Sequence, residues 1–196
     1  MKGKQLIQLW NQLSKRRKGQ FRLLLVLMII ASLSEIISLG AVLPFLGILT
    51  SPEEVFYHPL VQPLKNILEI SSPDQLALPF TIIFICAVLF AGAIRFALLY
   101  AMTRLSFATG ADLSIEIYKR TLYQDYSVHV SRNSSEVING IISKTGIVIN
   151  GVISPLLMIF SSVILLIGIV AVLFSINYLI ALSAFFGFGI IYFIII

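Results

Sequence analysis

Residues 23–49 run for 27 positions with one charged side chain, Glu35, and residues 78–103 run equally unbroken with only Arg95. A helix needs about 20 predominantly apolar residues to cross the hydrocarbon core of a bilayer, so either run suffices alone. Two more follow, one near 152–174 and one from Tyr178 that is still apolar at Ile196. A soluble domain of 196 residues has no interior large enough to hide them. Hydrophobic residues make up 58% of the chain and its mean hydropathy is +0.99, whereas soluble domains use roughly 45–50% apolar residues. The sequence therefore predicts an all-α integral membrane protein. Its four spans are expected at about 21–49, at 78–103 with a helical extension to 125, within 134–174, and at 178–196.

The charges around these runs give an expected topology. The net charge is +5, and Lys2, Lys4, Lys15, Arg16, Arg17, Lys18 and Arg22 crowd the N-terminus. Such a cluster can grip anionic lipid head groups, and beside a span it also acts as an orientation signal. Both fit better than nucleic-acid binding. The 50–77 segment carries one basic residue, Lys65, among Glu53, Glu54, Glu69 and Asp74. The 104–151 segment carries Arg104, Lys119, Arg120, Arg132 and Lys144. Cytoplasmic flanks are enriched in Lys and Arg, so the N-terminus and 104–151 are expected inside and 50–77 outside. The first apolar run is about twice the length of a signal-peptide core and contains Glu35 and Pro44, so it reads as a span.

Smaller features refine this plan. Leu6, Ile7, Leu9, Trp10 and Leu13 form one apolar stripe at helical spacing, which predicts a helix within residues 1–20 lying in the interface with Trp10 as an anchor. In the 50–77 loop, Leu60, Val61, Leu64, Ile67 and Leu68 predict a short amphipathic helix at about 59–70. It could shield a lipid tail or simply cover helix ends. Past Met102 no helix breaker except Gly110 appears before Tyr126, so the second span should continue about 30 Å beyond the membrane. Residues 126–133 break the pattern. Asn133, three before Glu136, looks like an N-cap with a capping-box partner. Pro44 and Pro155 are expected to kink their spans, which neighbouring helices can tolerate. Ser175-Ile176-Asn177 is the candidate turn between the last two spans. The lone Cys86 cannot form an internal disulfide, and His58 and His129 stand apart in sequence from any metal-ligand cluster.

Two long helices that leave the membrane together and meet at a short break form an uncommon pattern. Residues 3–18, 104–125, 126–133 and 134–151 resemble, in order and length, the elbow helix, the second-span extension, the coupling helix and the third-span extension of an ABC exporter (type-1) transmembrane domain. The string Ile117-Tyr118-Lys119-Arg120-Thr121-Leu122-Tyr123-Gln124-Asp125-Tyr126, with His129 and Arg132 through Ile138 after it, is similar to bacterial flippases for lipid-linked oligosaccharides. So are Glu35 with Pro44-Phe45, and Arg95 through Leu99. The resemblance implies the first four helices of a six-helix domain in the inner membrane, working by alternating access as a homo- or heterodimer. Its partners would be the bilayer, a second exporter half and a nucleotide-binding domain that carries ATP and Mg²⁺. The chain itself contains no G-x-x-x-x-G-K-[ST] loop, so no cofactor is expected in it. It is expected to be a fragment, with two further spans and the ATPase domain downstream of Ile196. The alternative from a different class is a self-contained four-span scaffold or partner-binding protein. A membrane-embedded enzyme has little support, since no His or carboxylate cluster gathers at an interface.

The residues singled out for chemistry are few. Charges in the bilayer centre normally face a cavity or a partner. Arg95 is a candidate for the translocation path, where its planar fork would suit a phosphate or pyrophosphate head group. The equal alternative is that Glu35 and Arg95 pair and neutralise each other. Counting rise along each helix sets Glu35 about 20 Å above Arg22 and Arg95 about 13 Å above Arg104, near one another but not level. By the resemblance, Tyr126, His129 and Arg132 would enter a groove of the ATPase domain.

Overall fold

The computed structural model describes residues 13–62, 72–127, 133–176, 178, 179, 182, 183, 186 and 187. It is almost entirely helical. Helix α1 spans Lys15–Gly40, α2 Val42–Thr50, α3 Pro52–Phe56, α4 Ala77–Leu122, α5 Ser134–Val148 and α6 Ser154–Ile176. Single 3₁₀ turns lie at Pro59–Val61 and Pro73–Leu76, and a π-helical turn at Ile149–Ile153 joins α5 to α6.

Among the described residues three stretches are long and apolar enough to cross a membrane, at Lys15–Thr50, Ala77–Leu122 and Val137–Ser175, and at most 28% of any of their most apolar windows is buried. Side chains such as Leu43, Ile82, Phe90, Phe96, Met158 and Ile167 stand exposed along them. Water would penalise each of these, whereas lipid tails solvate them. The chain is a membrane-embedded helical protein.

The helix boundaries follow local chemistry. Ser14 caps α1: its Oγ accepts the Arg17 N–H at 3.3 Å, and its carbonyl accepts the Lys18 N–H at 3.1 Å. Residues 15–20, expected at the end of an interfacial elbow, are therefore the first turns of the spanning helix. Gly19 does not interrupt them. The remainder of the expected elbow, residues 1–12, lies outside the described residues.

The first span is not one uninterrupted helix. Pro44 has no N–H and its ring crowds the carbonyl four residues back, that of Gly40. The helix breaks there, at Ala41, although Ala41 keeps helical torsions and its N–H still bonds Ile37 at 2.9 Å. The kink expected at Pro44 thus appears one turn earlier. Pro155 acts similarly on the carbonyl of Gly151. The chain accommodates it with the π turn, in which the Ser154 N–H reaches back five residues to Ile149.

Helix α4 is continuous over 46 residues, about 69 Å at 1.5 Å per residue. That is more than twice the thickness of a hydrocarbon core. Lys119 and Arg120 in its last turn face the negative end of the helix dipole favourably. Asn133 caps α5 as expected, its Oδ1 accepting the Ser135 N–H at 3.0 Å. Its suggested partner, the Glu136 side chain, lies outside the described residues. The amphipathic helix expected at 59–70 falls mostly outside them as well. Within it, Pro59–Val61 form a 3₁₀ turn, and α3 was not expected from the sequence. Most of the fourth expected span is also outside, and the six residues described there are helical.

The chain divides into two units, one of residues 1–28 and 97–163, the other of 29–96 and 164–196. In the first, the core forms from stripes at helical spacing. Leu98, Met102, Leu105 and Thr109 line α4, Leu24 and Met28 line α1, and Thr145, Ile149, Ile153 and Leu157 carry one stripe through the π turn. Buried hydroxyls are satisfied within the bundle: Ser106 bonds the Met102 carbonyl at 2.9 Å and Thr109 the Leu105 carbonyl at 2.8 Å. Ser114 donates to Thr145 Oγ1 at 3.0 Å, tying α4 to α5. Gly110 lets these helices approach, since a Cβ there would collide with the Ile149 side chain.

The second unit has its own small core, where Ile48, Phe56, Val61 and Leu76 are buried together with Val55, Ala77 and Phe80 packed against them. The 3₁₀ turns and α3 owe their place to this cluster. Phe45 and Phe84 stack at 4.6 Å with ring planes 7° apart, joining α2 to α4.

Candidate functional site

Each of the first two apolar runs carries one charge, and the second unit brings those charges together. Arg95 Nη1 lies 3.5 Å from Glu35 Oε2. Depth counted along straight helices left the two unlevel. The long arginine side chain closes that offset. The contact is ionic only. Glu35 Oε2 is a buried oxygen without a hydrogen-bond partner among the described residues, and 3.5 Å is long for a charge-assisted N–H···O bond. Both side chains keep more than a third of their surface exposed, 39% for Arg95 and 37% for Glu35. Among the described residues no hydrogen bond engages the Arg95 guanidinium. The pair can therefore cancel charge within the apolar layer while the guanidinium fork stays available to a further anion.

The turn of α1 that holds Glu35 is also fixed from α6. A Cβ on Gly168 would fall 2.6 Å from Ile36 Cδ1 and 3.1 Å from Ser32 Oγ. Gly168 therefore lets the α6 backbone lie against the Ser32–Ile36 turn. Sequence reasoning missed this residue. Small residues mark close helix contacts in membranes, but a lone glycine in a long apolar run does not reveal its partner.

In the first unit an ion pair lies between residues 95 positions apart. Arg17 Nε donates to Asp112 Oδ2 at 2.7 Å, Nη2 donates to Oδ1 at 3.1 Å, and Nη1 donates to Gln20 Oε1 at 2.8 Å. Arg17 is half-buried by this two-pronged contact. It fastens the start of α1 to the α4 extension. It also relieves one of four cations that the sequence places, unfavourably, at a positive helix end. Neither partner stood out in the sequence beyond its place in a charged segment.

At the far end of α4, Tyr123 and Tyr126 are 91% and 81% exposed. The Tyr123 N–H bonds the Lys119 carbonyl at 3.2 Å, and the Gln124 N–H bonds that of Thr121 at 3.2 Å, closing the helix. Of the proposed coupling residues, Tyr126 is at this exposed tip. His129 and Arg132 lie outside the described residues. Among the described residues there is no group of three or more His, Cys, Asp or Glu that could hold a metal. No protein-family model matches the sequence, and none of the curated proteins matches it.

Proposed function

We propose that this chain is the membrane-spanning part of an ATP-driven exporter or flippase of the ABC type-1 kind, moving a lipid or lipid-linked oligosaccharide by alternating access in the inner membrane. The single observation that carries the reading is α4: one helix of 46 residues, far longer than a bilayer requires, tied on its extension to α5 by the Ser114–Thr145 hydrogen bond. Long paired helices outside the membrane act as levers. Their tip would take the push of a nucleotide-binding domain, and the exposed Tyr123 and Tyr126 offer that tip an aromatic surface of the kind enriched at interfaces. In this reading the N-terminus and the α4–α5 tip are cytoplasmic. ATP and Mg²⁺ bind on the nucleotide-binding domain, and a second exporter half completes the path. Arg95 lines that path with Glu35 beside it, and Tyr126, His129 and Arg132 form the coupling contact.

A cysteine at Tyr126, cross-linked in membranes that contain the ATPase domain or subunit encoded with the chain, tests this directly. A cross-linked product that depends on the tip position and responds to ATP is expected. Absence of any tip contact, with a cysteine at Leu43 as the control, would count against the exporter reading and favour a self-contained four-span scaffold.

A further inference from the structure

The start of α1 and the middle of α4 enclose a groove of about 540 Å³ in the first unit. Its composition changes along its length. Along α1 the lining passes from Arg16, Arg17 and Gln20 to the aliphatic Leu23 and Leu27, and Arg104 joins it from α4. Arg104 is the first charged residue after the apolar run of α4, and Leu23 begins the apolar run of α1. The groove thus straddles the boundary between head groups and hydrocarbon. Arg17 is already committed to Asp112 and Gln20. Arg16 and Arg104 are exposed and make no ion-pair contact among the described residues; Asp112 attracts Arg16 only at longer range, so with Arg17 the groove carries three guanidiniums against that one carboxylate.

We propose that this groove binds one anionic phospholipid, its phosphate between Arg16 and Arg104 and the start of an acyl chain along Leu23 and Leu27. Guanidinium groups fork onto phosphate oxygens, and the Arg17–Gln20 contact holds the α1 wall of the groove in place. A free phosphate would satisfy the arginines but leave the aliphatic end empty. A zwitterionic lipid would bring its own cation against two arginines. An anionic lipid matches both ends. The inference uses only the membrane character of the chain and does not depend on the exporter reading.

The test is native mass spectrometry of the full chain released from nanodiscs of phosphatidylglycerol and phosphatidylcholine. Preferential retention of one phosphatidylglycerol is expected. Arg16→Gln and Arg104→Gln should each weaken retention about fivefold, the effect of one basic residue at an anionic surface. Arg22→Gln, outside the groove, should change it less than twofold. Ala101→Leu narrows the aliphatic end with every charge intact and should also lower retention, which keeps the test decisive if an arginine variant folds poorly. Equal retention of both lipids, equal loss in Arg22→Gln and Arg104→Gln, wild-type retention by Ala101→Leu, or complete displacement by millimolar inorganic phosphate would each overturn the proposal.

Discussion

Adding one methyl group at Gly110 should have opposite effects depending on what stands at position 149. Gly110 lies in the interior of α4 with helical torsions that any residue can adopt. Replacing it by alanine should therefore stabilise the helix by about 1 kcal/mol through backbone propensity alone. In the native packing that gain is outweighed. The new Cβ collides with both Cδ1 and Cγ1 of Ile149, while Thr145 Cγ2 is in ordinary contact at 3.4 Å. Ile149 is buried, and a β-branched residue in a helix has one strongly preferred χ1, so the collision cannot be relieved by a free rotation. Overpacking of this kind typically costs about 1–3 kcal/mol, leaving Gly110→Ala neutral to about 2 kcal/mol less stable. Ile149→Ala alone opens a cavity and should cost about 2–5 kcal/mol. In that background the collision is gone, and Gly110→Ala should stabilise by about 1 kcal/mol. The coupling between the two sites is then about 1–3 kcal/mol, well within what a double-mutant cycle resolves. Thermal unfolding of the four proteins in one detergent provides the readout, with helical circular dichroism as the signal. If Gly110→Ala stabilises both backgrounds equally, α4 and α5 do not meet at this point and the lever packing is refuted.

The remaining predictions concern the other contacts. Gly168→Leu should lower the unfolding midpoint by several degrees, equivalent to about 1–3 kcal/mol of overpacking against Ile36 and Ser32, with Gly168→Ala intermediate; an unchanged midpoint for Gly168→Leu would remove the α6–α1 contact. Glu35→Gln and Arg95→Gln should each reduce the yield of membrane-inserted protein more than the double substitution does, because each single change strands a charge whose burial in the bilayer costs a few kcal/mol; quantitative immunoblots of membrane fractions measure this, and a double variant no better than the worse single one would argue against pairing. Arg17→Gln and Asp112→Asn should couple by up to about 1 kcal/mol, and the coupling should shrink at high salt, since Asp112 is substantially exposed; a salt-independent coupling in the same unfolding assay would point to packing instead of charge.

What the sequence revealed and what it hid divide along a physical line. Features set by neighbours along the chain were legible. The 46-residue course of α4 followed from the absence of breakers, the start of α5 from Asn133, and three of the apolar spans from hydropathy alone. Features set by contact across the bundle were not. Gly110 was visible only as a possible interruption, because its role is defined by Ile149 on another helix. Pro155 predicted a disturbance but not its form, since whether a freed carbonyl leads to a kink or a π turn depends on how the flanking helix must face its neighbours. Pro44 acts through the carbonyl of Gly40, so the break lies a turn before the residue that causes it. The Arg17–Asp112 contact joins segments 95 positions apart, and no local pattern encodes such a pairing.

Glu35 and Arg95 show why two readings that look exclusive in a sequence need not be so in a structure. From the sequence, Arg95 either pairs with Glu35 or faces an anion. At 3.5 Å the two charges offset much of each other's cost in the apolar layer, because Coulomb attraction does not require hydrogen-bond geometry. The same separation leaves the guanidinium donors uncommitted and a Glu35 oxygen unsatisfied. A bidentate salt bridge, as between Arg17 and Asp112, would have locked the fork. The looser contact instead keeps a neutralised arginine whose donors an incoming phosphate could engage, in exchange for little more than one ionic contact. Arg95→Lys separates these roles: it preserves the charge that supports insertion but removes the planar fork. It should insert as the wild type does. On the exporter reading, a loss of transport in that variant then belongs to recognition and not to folding.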